Sequence, residues 1–158
     1  MARQTMDLIL WRHAEAVEPA EGQSDLERPL TPRGRKQAAR IADWLDARLP
    51  GRVQVLCSPA RRAEQTAKAV GRKFRLCPEL GPDGTEGELL LSAGWPDARR
   101  TVLIVGHQPT LGQTVAKLLG MEAGECPVRK GSVWWLRGRE RAGTLQTVVV
   151  AVQAPEML

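Results

Sequence analysis

Short apolar runs alternate along this chain with longer stretches in which apolar residues recur every three to four positions. The runs within 7–12, Val53–Cys57 and Thr101–Gly106 read as strands buried on both faces. Between the first two, Thr31 and Pro32 are helix-start signals, a cap followed by a proline at the first helical position. Ala38, Ile41, Trp44, Leu45 and Leu49 then give one apolar stripe, which Pro50 and Gly51 end. Ser58 and Pro59 repeat the signal, and Ala63, Ala67 and Val70 line the helix that follows. Residues 74–77 read as a short strand stopped by Pro78, residues 79–87 as loop, and residues 87–93 as a short helix. A further helix is expected at 110–119, with Leu111, Val115, Leu118 and Leu119 inward and Gly120 as its stop. Residues 132–137 and 144–152 read as an antiparallel pair joined by a glycine-containing turn.

Strands alternating with helices, then a hairpin, predict an α/β protein: a three-layer α/β/α sandwich on a mixed, mostly parallel sheet. Residues 14–30, broken by Pro19, Gly22 and Pro29, form a polar loop expected over the end of the first strand. Residues 1–5 read as a loose leader, and 1–158 as a single domain without repeat or linker.

Charge changes this picture little. Lysine and arginine number 23 against 18 acids, but the excess is scattered rather than gathered into a stripe or tail, which argues against a nucleic-acid binder. The five tryptophans read as packing residues rather than a base-stacking platform. Cys57, Cys77 and Cys126 have neither metal-type nor redox-type spacing and fit a reducing compartment, so the expectation is cytoplasmic. Cys57, inside an apolar run, reads as a small buried hydrophobe. No signal peptide or membrane span is expected.

Chemistry enters at the strand ends, where open α/β sheets bind their ligands. The chain has two histidines, His13 and His107, and each follows an apolar run. Arg12 precedes the first, and Arg61 and Arg62 follow the second strand. Imidazoles and guanidiniums at one sheet edge suit an anion, above all a phosphoryl group whose charge spreads over three oxygens. A neutral histidine can attack phosphorus while arginines and a second imidazole cover the oxygens, and the adjacent cations should depress its pKa. No third ligand has spacing suited to a metal, so the expectation is a site with no metal and no cofactor.

Four segments carry a resemblance. Leu10-Trp11-Arg12-His13-Ala14-Glu15-Ala16 resembles the Arg-His-Gly motif of the histidine phosphatase (phosphoglycerate-mutase-like) superfamily, whose SixA-type phosphohistidine phosphatases often accept alanine in third place. Arg28-Pro29-Leu30-Thr31-Pro32-Arg33-Gly34 resembles that branch's second motif. Ser58-Pro59-Ala60-Arg61-Arg62-Ala63-Glu64-Gln65-Thr66 is similar to its Ser-Pro-x-x-Arg-Ala-x-Gln-Thr motif, and Val105-Gly106-His107-Gln108-Pro109 to the region of its second histidine. The resemblance implies a phosphoglycerate-mutase-like fold, His13 as a transiently phosphorylated nucleophile, and Arg12, Arg62 and His107 as ligands of the phosphoryl oxygens, with Arg28 at the rim. Arg62, directly before Ala63, takes the functional place, leaving Arg61 exposed.

Larger members carry a Leu-x-Glu whose acid protonates the leaving group. The counterpart here is Leu80-Gly81-Pro82, with proline in the acid's place; Glu15, Glu79, Asp83 and Glu86 are near in sequence, and none is singled out. The missing acid and the short 79–100 segment favour an open site and a phosphohistidine-bearing protein as substrate. Expected partners are that protein and a phosphate or sulfate ion, with no nucleic acid and no membrane, and the chain acting as a monomer. The alternatives are a general phosphomonoesterase on small metabolites and an inactive phosphate-binding module.

Overall fold

The structure, a computed structural model, describes residues 5–158. The expected leader lies outside the described residues except for Thr5, which already belongs to the first strand. In chain order the main elements are β1 (Thr5–Arg12), α1 (Pro32–Asp46), β2 (Val53–Cys57), α2 (Arg61–Lys68), β3 (Arg75–Leu76), α3 (Glu86–Ala93), β4 (Thr101–Gly106), α4 (Thr110–Leu119), β5 (Val133–Arg141) and β6 (Thr144–Gln153). Three short 3-10 turns lie at Asp25–Glu27, Pro78–Leu80 and Pro155–Met157.

The six strands form one sheet in the order β3-β2-β4-β1-β5-β6. The first four run parallel, and β5 and β6 add antiparallel at one side. Successive strand side chains face opposite layers. Ile9, Trp11, Val55, Cys57, Leu103 and Val105 pack under α1 and α2 with Ile41 and Leu45. Leu8, Leu10, Leu56, Val102 and Ile104 pack on the other face with Leu111 and Val115 of α4 and Leu89 of α3. This is the expected three-layer sandwich. No described helix is long and apolar enough to cross a membrane.

Boundaries moved where turn chemistry, not periodicity, sets them. β5 continues to Arg141, four residues past expectation, because the reversal is made by Ala142 and Gly143, both at positive φ (53° and 77°), as a tight hairpin turn requires. Helix α2 begins at Arg61 with Ala60 as its cap residue, so Ser58 is not its cap. Thr31 does cap α1, its hydroxyl accepting from Gly34 N–H at 2.9 Å. Leu118 and Leu119, expected on the inner face of α4, are only half-buried at its end. The tryptophans pack: Trp11 is fully buried, Trp44 meets Trp135 edge-on at 6.4 Å, and Trp95 lies against Gly138.

Candidate active site

Strands β1 and β4 are parallel neighbours in a register that sets Arg12 opposite Gly106. The ladder extends one step, His13 N–H donating to the Gly106 carbonyl at 3.1 Å. The next residue on each strand is therefore a histidine. Their ring centroids are 5.1 Å apart, tilted by 57°, and only 7% of His13 and 4% of His107 are exposed.

His13 Nδ1 lies 2.7 Å from the Ala14 carbonyl. A carbonyl only accepts, so this contact assigns the proton to Nδ1 and leaves the lone pair on Nε2. Among the described residues Nε2 has no hydrogen-bond partner. His107 is held at its other edge, its Nε2 lying 2.7 Å from Ser58 Oγ. Ser58 Oγ also accepts from Ala60 N–H at 3.1 Å, so one hydroxyl organises the turn into α2 and orients His107. Ser58 stood inside a quoted motif but read as a helix cap; its contact with His107 runs between strands and has no local signal.

The two candidate arginines converge on the same end of the sheet. Arg12 donates from Nη1 to the Val128 carbonyl at 2.9 Å. Arg62 is 4% exposed, whereas Arg61 faces solvent. Arg62 Nη1 donates to the Asp25 carbonyl at 2.8 Å and Nη2 to Asp25 Oδ2 at 3.0 Å. The Nε–H groups of Arg12 and Arg62 are buried without a protein acceptor. An orphaned buried donor costs about 1–3 kcal/mol, a cost that an anion accepting from it would remove. Arg28, expected at the rim, directs Nε and Nη2 to Asp25 Oδ1 (2.9 and 2.8 Å) and Nη1 to the Val17 carbonyl (2.8 Å). It hydrogen-bonds neither histidine, but its charge adds to the lowering of His107. Sequence reasoning missed Asp25, whose loop position carries no periodic or motif signal of its own.

The motif residues around these side chains fix the loops. Thr66 Oγ1 accepts from Ala14 N–H at 3.1 Å and donates to the Arg62 carbonyl at 2.8 Å, tying the His13 turn to α2. Gln65 Oε1 accepts from Leu30 N–H at 2.7 Å, pinning the far end of the 14–30 loop. A Cβ on Gly34 would overlap the Glu15 carbonyl oxygen, so glycine there lets α1 close on the backbone just after His13. On the opposite side Gly131 N–H donates to the His13 carbonyl at 3.0 Å, and Trp11 Nε1 to the Gly131 carbonyl at 3.0 Å.

Electrostatics favour neutral rings. His13 is lowered to about 3, by burial first and then by His107, Arg62 and Arg12, against the opposing Ala14 hydrogen bond. His107 is lowered to about 4, again by burial first and then by Arg62, with Asp25 pulling the other way. The depression expected from adjacent cations is present but secondary to desolvation. Negative charge arriving between the rings and guanidiniums would find a buried, positively biased pocket.

The acids named from sequence are occupied or outside. Glu15 Oε2 accepts from the Thr31 hydroxyl at 2.7 Å, and Glu79 Oε1 from Ser92 at 3.0 Å. Asp83 is exposed and Glu86 opens α3. The carboxylate that contacts a site arginine is Asp25, and Arg28 and Arg62 hold it below the usual range against the effect of burial, so it is ionised and no proton donor at neutral pH. Among the described residues no group of three or more histidine, cysteine, aspartate or glutamate side chains could hold a metal ion.

This geometry has known counterparts. A model of the histidine phosphatase superfamily (branch 1) matches residues 8–87. The chain is 35% identical over 121 residues to the phosphohistidine phosphatase SixA of Escherichia coli, covering 72% of this chain and 74% of that protein. It is 39% identical over 119 residues to an uncharacterized protein of Mycobacterium tuberculosis, covering 71% and 73%. The solved structure of the protein histidine phosphatase SixA complexed with tungstate superposes with a TM-score of 0.79 at 28% identity, covering 96% of this chain and 99% of that one. Its α/β fold is the one described above. From the match over half the chain and these relatives, the chain belongs to the histidine phosphatase superfamily, a family of phosphatases.

Proposed function

We propose that this chain removes phosphate from phosphohistidine carried on a protein, through a covalent intermediate on Nε2 of His13. One observation carries the reading: Nδ1 of His13 is tied to the Ala14 carbonyl, which turns an unpartnered Nε2 toward chemistry beside His107, Arg12 and Arg62. The resemblance to the phosphohistidine phosphatase SixA of Escherichia coli supports the substrate class.

The Nε2 lone pair attacks phosphorus while the bond from phosphorus to the substrate ring nitrogen breaks, and that electron pair stays on the departing ring. Arg12, Arg62 and His107 cover the equatorial oxygens, where charge stabilisation does most of the catalytic work. The Nδ1–H···O=C bond to Ala14 stabilises the charge that His13 acquires when phosphorylated. Water then attacks phospho-His13 and loses a proton, inorganic phosphate leaves, and Nε2 regains its lone pair. Three free, buried cysteines fit the reducing cytoplasm as its place of work, and the substrate class fits a role in signal transduction.

The segment 79–100 supports an open site. Its α3 starts at a Thr85–Glu88 capping box and packs on α4, forming part of the helical layer rather than a lid. The test compares kcat/KM for a phosphohistidine protein, an aryl phosphate and an alkyl phosphate. Without a placed acid, the alkyl ester should be slower by about 10²–10⁴-fold, the usual worth of such a group. Fastest turnover of the alkyl ester would replace this reading with a metabolite phosphatase.

A further inference from the structure

We infer that Asp25 reads the leaving group: its free acceptor site takes the second ring N–H of the substrate imidazole, so the phosphorylated ring is attacked as its cation and departs neutral. This rests on the phosphohistidine reading and names how the same site selects that substrate.

The acceptor count of Asp25 leads to it. A carboxylate offers about four acceptor positions, two on each oxygen. Arg28 donates from Nε to Oδ1 and holds Nη2 2.8 Å from the same oxygen as an ion pair. On Oδ2 Arg62 Nη2 fills one, leaving one position open on the oxygen that faces the buried arginine of the site. The carboxylate side of this contact is 52% exposed while Arg62 is 4% exposed, so Asp25 stands where the pocket meets solvent. Its charge is felt inside, since it is the group that opposes the lowering of His107. Its backbone is set independently of a ligand: Ser24 Oγ accepts from Leu26 N–H at 3.3 Å and caps the turn that carries it.

Bond breaking at phosphohistidine gives the open acceptor its use. When the P–N bond breaks, the electron pair lands on the ring nitrogen. A ring carrying a proton on its other nitrogen leaves as neutral imidazole, while one without it would leave as an imidazolate. The site is rich in fixed cations, and a cationic ring entering it needs a compensating anion. Asp25 supplies that charge and accepts the N–H without giving up a proton. A phosphate ester brings no such donor to Oδ2, only an oxygen with lone pairs, which the carboxylate repels.

The test is Asp25→Asn, with N-phosphoimidazole and an aryl phosphate assayed on the same preparation. N-phosphoimidazole carries the leaving group without any protein–protein contact. A hydrogen bond to a charged group is worth enough for about a 10–100-fold loss of kcat/KM on N-phosphoimidazole. The aryl phosphate should fall only about threefold or less, because the Asp25 main-chain carbonyl still holds Arg62 and a neutral amide oxygen can still accept. Asp25→Glu should recover part of the N-phosphoimidazole rate, as an ionised acceptor is restored. Equal losses on both substrates would make Asp25 a positioner of Arg62 alone and overturn the inference. A wild-type protein that hydrolyses the aryl phosphate but neither N-phosphoimidazole nor a phosphohistidine protein would overturn the proposed function itself.

Discussion

A single carbonyl decides what His13 can do. Ala14 O accepts a hydrogen bond from Nδ1–H, which leaves the lone pair on Nε2, an atom with no hydrogen-bond partner among the described residues. Both rings are neutral well into acid because they are buried, which makes their protonation a stability matter as well as a catalytic one. In the unfolded chain each histidine binds its proton near pH 6.5, whereas in the folded chain His13 does so at about 3 and His107 at about 4. As pH falls through this window the unfolded state gains protons that the folded state refuses, so stability falls, by at most about 1.4 kcal/mol per pH unit for each ring. Chemical denaturation between pH 7 and 5, in a buffer free of phosphate, should show that slope. A variant with His13→Gln and His107→Gln should lose it, these being the chain's two histidines; an unaltered slope in the variant would assign it elsewhere. At this scale the sequence showed the two histidines, Arg12 and Arg62, since each adjoins a strand end or lies in a quoted motif. Asp25 and Ser58 were hidden because their partners, Arg62 and His107, stand 37 and 49 residues away in the chain.

Elements bring those residues together through close approaches that motif residues permit. Helix α1 lies directly on the turn after His13 because Gly34 has no side chain, and Thr31 both caps that helix and holds Glu15. Gly34→Ala forces a methyl group against the Glu15 carbonyl oxygen, an overpacking that typically costs about 1–3 kcal/mol. Thermal melting should register this loss, and phosphatase activity should fall with it because the displaced backbone carries His13. An unchanged melting temperature would mean that α1 does not bear on the turn. Apolar runs and stripes together with start and stop signals located the helices and strands of the layers, whereas their ends depended on chemistry that periodicity does not see. Ser58 carries the signature of a cap, yet its hydroxyl is taken by Ala60 and His107, and α2 starts later.

Across the whole molecule, function follows from strand order. β1 and β4 pair residues 94 apart in the chain, Leu8 with Val102 and Arg12 with Gly106, so no local reading brings His13 beside His107. The expectation that both lie at one sheet edge came from the rule that such sheets bind ligands beyond their strand ends, and the observed order β2-β4-β1 places all three junctions there. A cleft of about 830 Å³, lined in part by Arg52, Arg99 and Arg100, opens at the amino ends of these strands. It holds no histidine and takes no part in the proposed chemistry. The phosphorylated enzyme is the most direct test of the account. Wild-type protein mixed with a phosphohistidine substrate, quenched in alkali within one turnover and fragmented for mass spectrometry should carry phosphate on His13, and His13→Ala should carry none. Phosphate found on another residue, or full turnover by His13→Ala, would contradict the account.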